Sequence, residues 1–149
     1  MTGSSDLLVL EGMSFYGYHG ETQAERTLGN RFYVDVEVRI DLARAGETDA
    51  IADTLDYSHG FSLVREVVED EQYSLIEAVA ARIATSFLGE QGVDSVKVRV
   101  GKRPPIPGSI ERSAVIIERS AREPHMSAAI VPRPHVNAAN SPTNAGGPR

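Results

Sequence analysis

The clearest periodicity in the chain runs through RFYVDVEVRIDLA. Phe32, Val34, Val36, Val38, Ile40 and Leu42 share one parity; Tyr33, Asp35, Glu37, Arg39 and Asp41 share the other. Period-two alternation sends successive side chains to opposite faces, so this segment is predicted to be a strand with one buried face, as in an antiparallel sheet. LLVLEGM, SVKVRV and SAVIIER read as three shorter strands. Between them the period becomes helical. SHGFSLVREVVEDE offers Phe61, Val64, Val67 and Val68 as one apolar stripe. SLIEAVAARIATSFLG offers Leu75, Ile76, Val79, Ala80, Ile83 and Phe87, with Gly89 as a stop. The order is strand, strand, helix, helix, strand, strand: an α+β fold with a four-stranded antiparallel sheet and both helices on one face. An open sheet has two edges that must be blunted or paired with another chain. A ring of subunits, with sheets joined edge to edge and helices outside, meets that need, so a homo-oligomer is expected.

Composition sets limits on this picture. The chain has 149 residues, 41% hydrophobic and 24% charged, which suits one globular domain. That domain is expected over 6–120. From 121 to 149, five of the eight prolines fall among Ala, Asn, Ser and Gly, and the segment is expected to be a disordered extension. The extension carries Arg122, Arg133 and Arg149 against Glu123, leaving 12 basic and 20 acidic side chains in the first 120 residues. So acidic a body disfavours nucleic acid or an anionic membrane as partner. No run of eighteen apolar residues suggests a membrane span, and the start reads as a first strand rather than a signal peptide. With no cysteine there is no thiolate zinc site or disulfide framework, and a cytoplasmic location is the simplest reading.

Three segments hold more polar residues than folding requires. FYGYHGETQAERTLGN is longer than an ordinary hairpin connection, which hints at a functional loop. In DTLDYSHGF, Ser58 reads as the N-cap, Tyr57 as a half-buried aromatic and His59 as an exposed first-turn residue. In YSLIEAVAARIA, Ser74 and Glu77 match the capping-box spacing. A carboxylate at a helix start can instead accept paired N–H donors from a planar heterocycle, by the fork geometry that pairs Arg with carboxylates. Both readings of Glu77 stand.

VRVGKRPPIPGSI contains Lys102, one of two lysines against thirteen arginines. Lysine, unlike arginine, can lose its proton when desolvated, so its use at a strand end suggests proton transfer. It continues the parity of Val96, Val98 and Val100, and so is expected on the less solvated side of the strand.

In order and spacing, FYGYHGETQAE, DTLDYSHGF, SLIEAVAARIA and KVRVGKRPPIPG resemble dihydroneopterin aldolases of folate biosynthesis, from Leu7 to about Arg119. The resemblance implies the tunnelling fold, a ring-barrel homo-oligomer (an octamer of two stacked tetrameric rings) and active sites between neighbouring subunits. It implies retro-aldol cleavage of dihydroneopterin to hydroxymethyl-dihydropterin and glycolaldehyde, with an epimerase side activity. The substrate's own ring imine accepts the electrons, so neither cofactor nor metal is expected. By the same resemblance, Glu77 anchors the pterin, Lys102 moves protons as the catalytic lysine, Glu25 shapes the polar end of the site with it, and Tyr57, from the adjacent subunit, covers the pterin and helps protonate the enol intermediate. Leu55, Asp56 and Ile76 complete the substrate-binding set, and Tyr18 and His19 receive no chemical step. One departure stands out: Lys102-Arg103-Pro104-Pro105-Ile106-Pro107 is one residue shorter than relatives usually have between the lysine and Pro-Ile-Pro. Two other functions remain open at this point: an epimerase of dihydroneopterin or its triphosphate, with Arg103 and Arg112 as phosphate candidates, and a non-catalytic pterin- or purine-binding oligomer.

Overall fold

The computed structural model describes residues 5–121; apart from Ala121, the expected C-terminal extension lies outside them. The elements run β1 (Leu7–Gly17), α1 (Gln23–Leu28), β2 (Asn30–Ile40), α2 (Ala43–Thr48), a 3-10 turn (Ile51–Asp53), α3 (Tyr57–Asp70), α4 (Ile76–Leu88), β3 (Val93–Lys102) and β4 (Ser113–Ser120). The four strands form one antiparallel sheet in the order β1-β2-β3-β4. The α+β class, the strand count and the two long helices are as the alternation predicts. No helix among the described residues is long and apolar enough to cross a membrane.

The even parity of β2 becomes the core. Phe32, Val34, Val36 and Val38 are fully buried, against Val64, Val67 and Val68 of α3 and Val79, Ile83 and Phe87 of α4. The odd parity forms a cross-strand ladder on the other face, where Asp35 stands opposite Arg99 and Glu37 opposite Lys97. The alternation therefore sorts both faces of the sheet, because strand pairing leaves a side chain only those two directions.

β1 runs four residues past the predicted LLVLEGM segment and carries a bulge between Leu10 and Met13. Gly12 sits in the bulge at φ 73°, a backbone region that side chains resist, and its N–H donates to Asp35 Oδ1 at 2.7 Å. The bulge breaks the alternation, which is why the sequence pattern shows only the first half of the strand.

Several local expectations need correction. Asp56, not Ser58, is the N-cap of α3; its Oδ1 accepts from the Ser58 N–H at 2.8 Å. Ser74 and Glu77 form no capping box. The N-cap of α4 is Leu75, with no side-chain cap bond, so Glu77 falls one position too early to reach back. Tertiary bonds at Tyr73, described below, keep the chain out of the helix until Leu75. Leu75 and Phe61 are exposed rather than inward, although the Phe61 ring still meets Phe15 at 5.1 Å. Leu42 leaves the strand and precedes α2. Tyr57 is 66% exposed, not half-buried, and His59 is exposed but pairs with Glu90 at 2.8 Å.

Candidate functional site

Lys102 is the last residue of β3, paired with the buried Phe32, and keeps the core parity. Its ammonium is directed not to solvent but to Glu25: Nζ lies 2.5 Å from Oε2, with the two side chains only 14% and 10% exposed. Glu25 is itself held in place. In the first turn of α1 it closes a capping box with Thr22. The Glu25 N–H donates to Thr22 Oγ1 at 3.2 Å, and Glu25 Oε1 accepts from the Thr22 hydroxyl at 3.0 Å. One carboxylate oxygen thus orients the helix and the other faces the lysine. Gly20 makes room, since a Cβ there would come within 2.4 Å of the Glu25 Cβ. Burial alone would raise the Glu25 pKa, but the bonds from Lys102 and Thr22 outweigh it and hold the carboxyl below its ordinary 4.5. At neutral pH this is an ionised carboxylate gripping a lysine.

The same end of the molecule holds the start of α4. Gly20 N–H donates to the Tyr73 carbonyl at 3.0 Å, and Tyr73 N–H donates to His19 Nδ1, also at 3.0 Å. Glu77 follows four residues later in the first turn of α4, exposed, with Ile76 buried beside it. The structure therefore brings Glu25 and Lys102 into contact and fixes the segment leading to Glu77 against the same loop.

Tyr57, Leu55 and Asp56 lie elsewhere. Tyr57 opens α3, whereas Val68, near the other end of that helix, accepts a hydrogen bond from His19. Eleven residues of helix separate them, about 16 Å at the usual rise. Within one chain, Tyr57 does not join the Lys102 cluster. It instead borders an open groove of about 760 Å³ between β1 and α3, lined by Leu10, Gly12, Met13, Ser14 and Phe61 among others. Leu55 is buried, and the Asp56 carbonyl is taken by the Gly60 N–H.

Two features of this end of the molecule go beyond the sequence-based expectations. The Thr22–Glu25 box has a T-x-x-E signature, the counterpart of the S-x-x-E at Ser74, and lies inside the long loop. His19, 1% exposed, makes two main-chain bonds that no local pattern announces.

Fold and site together define a small α+β protein with a shielded lysine–carboxylate pair at one end of its sheet and an exposed tyrosine at the start of α3, beside the middle of β1. The profile of the dihydroneopterin aldolase family matches residues 8–118. A dihydroneopterin aldolase of Bacillus subtilis (strain 168) is 42% identical over 116 residues, covering 76% of this chain and 97% of its own. One from Streptococcus pyogenes serotype M1 is 40% identical over 116 residues, with 76% and 98% covered. The solved E. coli dihydroneopterin aldolase in complex with neopterin superposes with a TM-score of 0.72 at 28% identity, over 77% of this chain and 99% of that one. A Burkholderia thailendensis dihydroneopterin aldolase bound to guanine, 23% identical with a TM-score of 0.65, shares the fold. The chain belongs to the dihydroneopterin aldolase family, which is a family of lyases.

Proposed function

We propose that this chain cleaves dihydroneopterin by a retro-aldol reaction at a site assembled from two copies of itself. The observation that carries this reading is the Lys102–Glu25 pair, shielded on the core side of a strand end where an ordinary surface cation would be solvated. In the reaction the hydroxyl on the outer carbon of the bond to be broken loses its proton, and that carbon becomes the aldehyde carbon. The carbon–carbon bond breaks to release glycolaldehyde, and its electrons enter the pterin ring imine. The resulting enol is then protonated to hydroxymethyl-dihydropterin. Lys102 passes protons to and from the side chain through a water, and Glu25, ionised and oriented by Thr22, keeps the amine in place. Glu77 is free of any capping role and accepts the amino and ring N–H groups of the pterin as a fork. Ile76 borders the ring.

Tyr57 acts on the site of a neighbouring subunit. Its exposure and its distance from Lys102 along α3 support that, as do Leu55 and Asp56 held beside it at the same end. The edges at β1 and β4 have no partner strand among the described residues, which supports closure into a ring. An octamer of two stacked tetrameric rings is the assembly we infer.

The triphosphate alternative loses one of its cations. The Arg112 guanidinium stacks over the Tyr33 ring at 3.7 Å, on the odd-parity face of the sheet, while Lys102 follows the even parity. Incubation with dihydroneopterin and analysis of products is the decisive assay. Release of glycolaldehyde is expected. Formation of an isomer alone would make the protein an epimerase, and unchanged substrate would make it a binding protein.

A further inference from the structure

His19 is fully enclosed, yet nothing in the reaction uses it. Its ring meets Phe32 edge-on at 5.0 Å and stacks on Tyr73 at 5.9 Å. Phe32 is the residue paired with Lys102, and Tyr73 leads into α4. Both ring nitrogens are engaged. Nδ1 accepts from the Tyr73 N–H at 3.0 Å, so the proton must sit on Nε2, which donates to the Val68 carbonyl at 2.9 Å. One imidazole therefore ties the last turn of α3 to the residue that leads into α4, and it rests on Phe32 of β2, the strand paired with the one that carries the lysine. The adjacent Gly20 N–H adds a second tie, to the carbonyl of the same Tyr73.

We propose that His19 is a positioning residue: through its bond to the Tyr73 N–H it sets where Glu77 stands relative to the Lys102–Glu25 pair. The proposal rests on the reading of Glu77 as the pterin anchor. The geometry favours it over a purely structural role because the bond ends on the short non-helical link that precedes the α4 start at Ile76. A Tyr73 N–H without an acceptor would seek one by moving that link. Glu77, four residues on, would move with it. Neutrality of the ring supports the arrangement: burial foremost, and the Lys102 charge secondarily, lower the His19 pKa to about 4, although the bond to Val68 pulls it up. The acceptor lone pair on Nδ1 is thus present throughout the neutral range.

Two substitutions separate the two bonds. His19→Asn places an oxygen near Nδ1, keeps an acceptor for Tyr73 and loses the link to Val68. His19→Gln reaches towards Nε2, keeps a donor for Val68 and loses the Tyr73 acceptor. With neopterin as the probe, His19→Gln should weaken binding by about tenfold while His19→Asn stays within about threefold, at similar melting temperatures. Equal losses in both variants, or none in His19→Gln, would overturn the proposal. Glu77→Gln is the control: normal neopterin binding there would sink the anchor reading on which the proposal rests, whereas a loss there with none in His19→Gln would sink the role of His19 alone. Should either histidine variant fail to fold, the wild-type protein still decides. Linkage is reciprocal, so saturating neopterin should slow hydrogen exchange of the Tyr73 amide. An unchanged exchange rate there would refute the coupling.

Discussion

Lys102 Nζ and Glu25 Oε2 meet at 2.5 Å although the two residues stand 77 positions apart in the chain. Neither half of the pair is useful alone. The strand end delivers an amine to the shielded side of the sheet, and the capping box of a six-residue helix holds the carboxylate to receive it. That mutual constraint underlies the first prediction. Lys102→Arg should keep the fold, the ion pair and much of the pterin binding, yet lower turnover by at least about a hundredfold, because arginine supplies charge without proton exchange. Steady-state kinetics beside a binding isotherm would show it. Turnover close to wild type would move the proton-transfer role to another residue.

Glu77 should respond differently. Since α4 starts from Leu75 without a side-chain cap, Glu77→Gln removes no helix cap and the melting temperature should hardly change. Pterin affinity should fall ten- to a hundredfold, the cost of roughly 1.5–3 kcal/mol for a lost charge-assisted bond. Calorimetric titration with neopterin tests this, and an unaltered affinity would exclude Glu77 as the anchor.

The separation of Tyr57 from Lys102 predicts complementation between chains. Tyr57→Ala and Lys102→Ala should each be nearly inactive. Unfolded together and refolded at equal amounts, they should recover up to about a quarter of native activity, because about one in four interfaces in a randomly mixed ring pairs the intact tyrosine with the intact lysine. A mixture as inactive as its parts would place the whole site within one chain.

Acid should reveal His19. Folding lowers its pKa from 6.5 to about 4, chiefly by burial. Between those values the unfolded chain binds a proton that the folded chain refuses. Stability contributed by the neutral ring is therefore complete above 6.5 and is lost as pH falls towards 4, by up to about 1.4 kcal/mol per pH unit. Glu25 works in a lower window. Its depressed pKa contributes stability that is intact above 4.5 and is lost as the pH falls further. Urea denaturation of wild type and His19→Asn at about pH 7 and about pH 5 separates the two, since only the histidine is lost between those points. An equal decline in both proteins would assign the sensitivity to other groups.

The period-two run of β2 determined the sheet's two faces, and the helical stripes determined which sides of α3 and α4 are buried. These outcomes depend on local geometry alone: a strand has two directions for its side chains and a helix has one apolar stripe to hide. The parity of Lys102 was legible for the same reason, whereas the grouping of Glu25, Glu77 and Tyr57 into one site came only from the resemblance to the family. Tertiary structure decided the rest. The T-x-x-E signature occurs at Thr22 and its S-x-x-E counterpart at Ser74, but only the first closes a box, because bonds from His19 and Gly20 to Tyr73 delay the start of α4. A capping motif states a preference worth about 1 kcal/mol, which long-range main-chain bonds override. The meeting of Lys102 with Glu25, the burial of His19 and the distance of Tyr57 from both are likewise contacts between segments far apart in the chain. No window of sequence contains them.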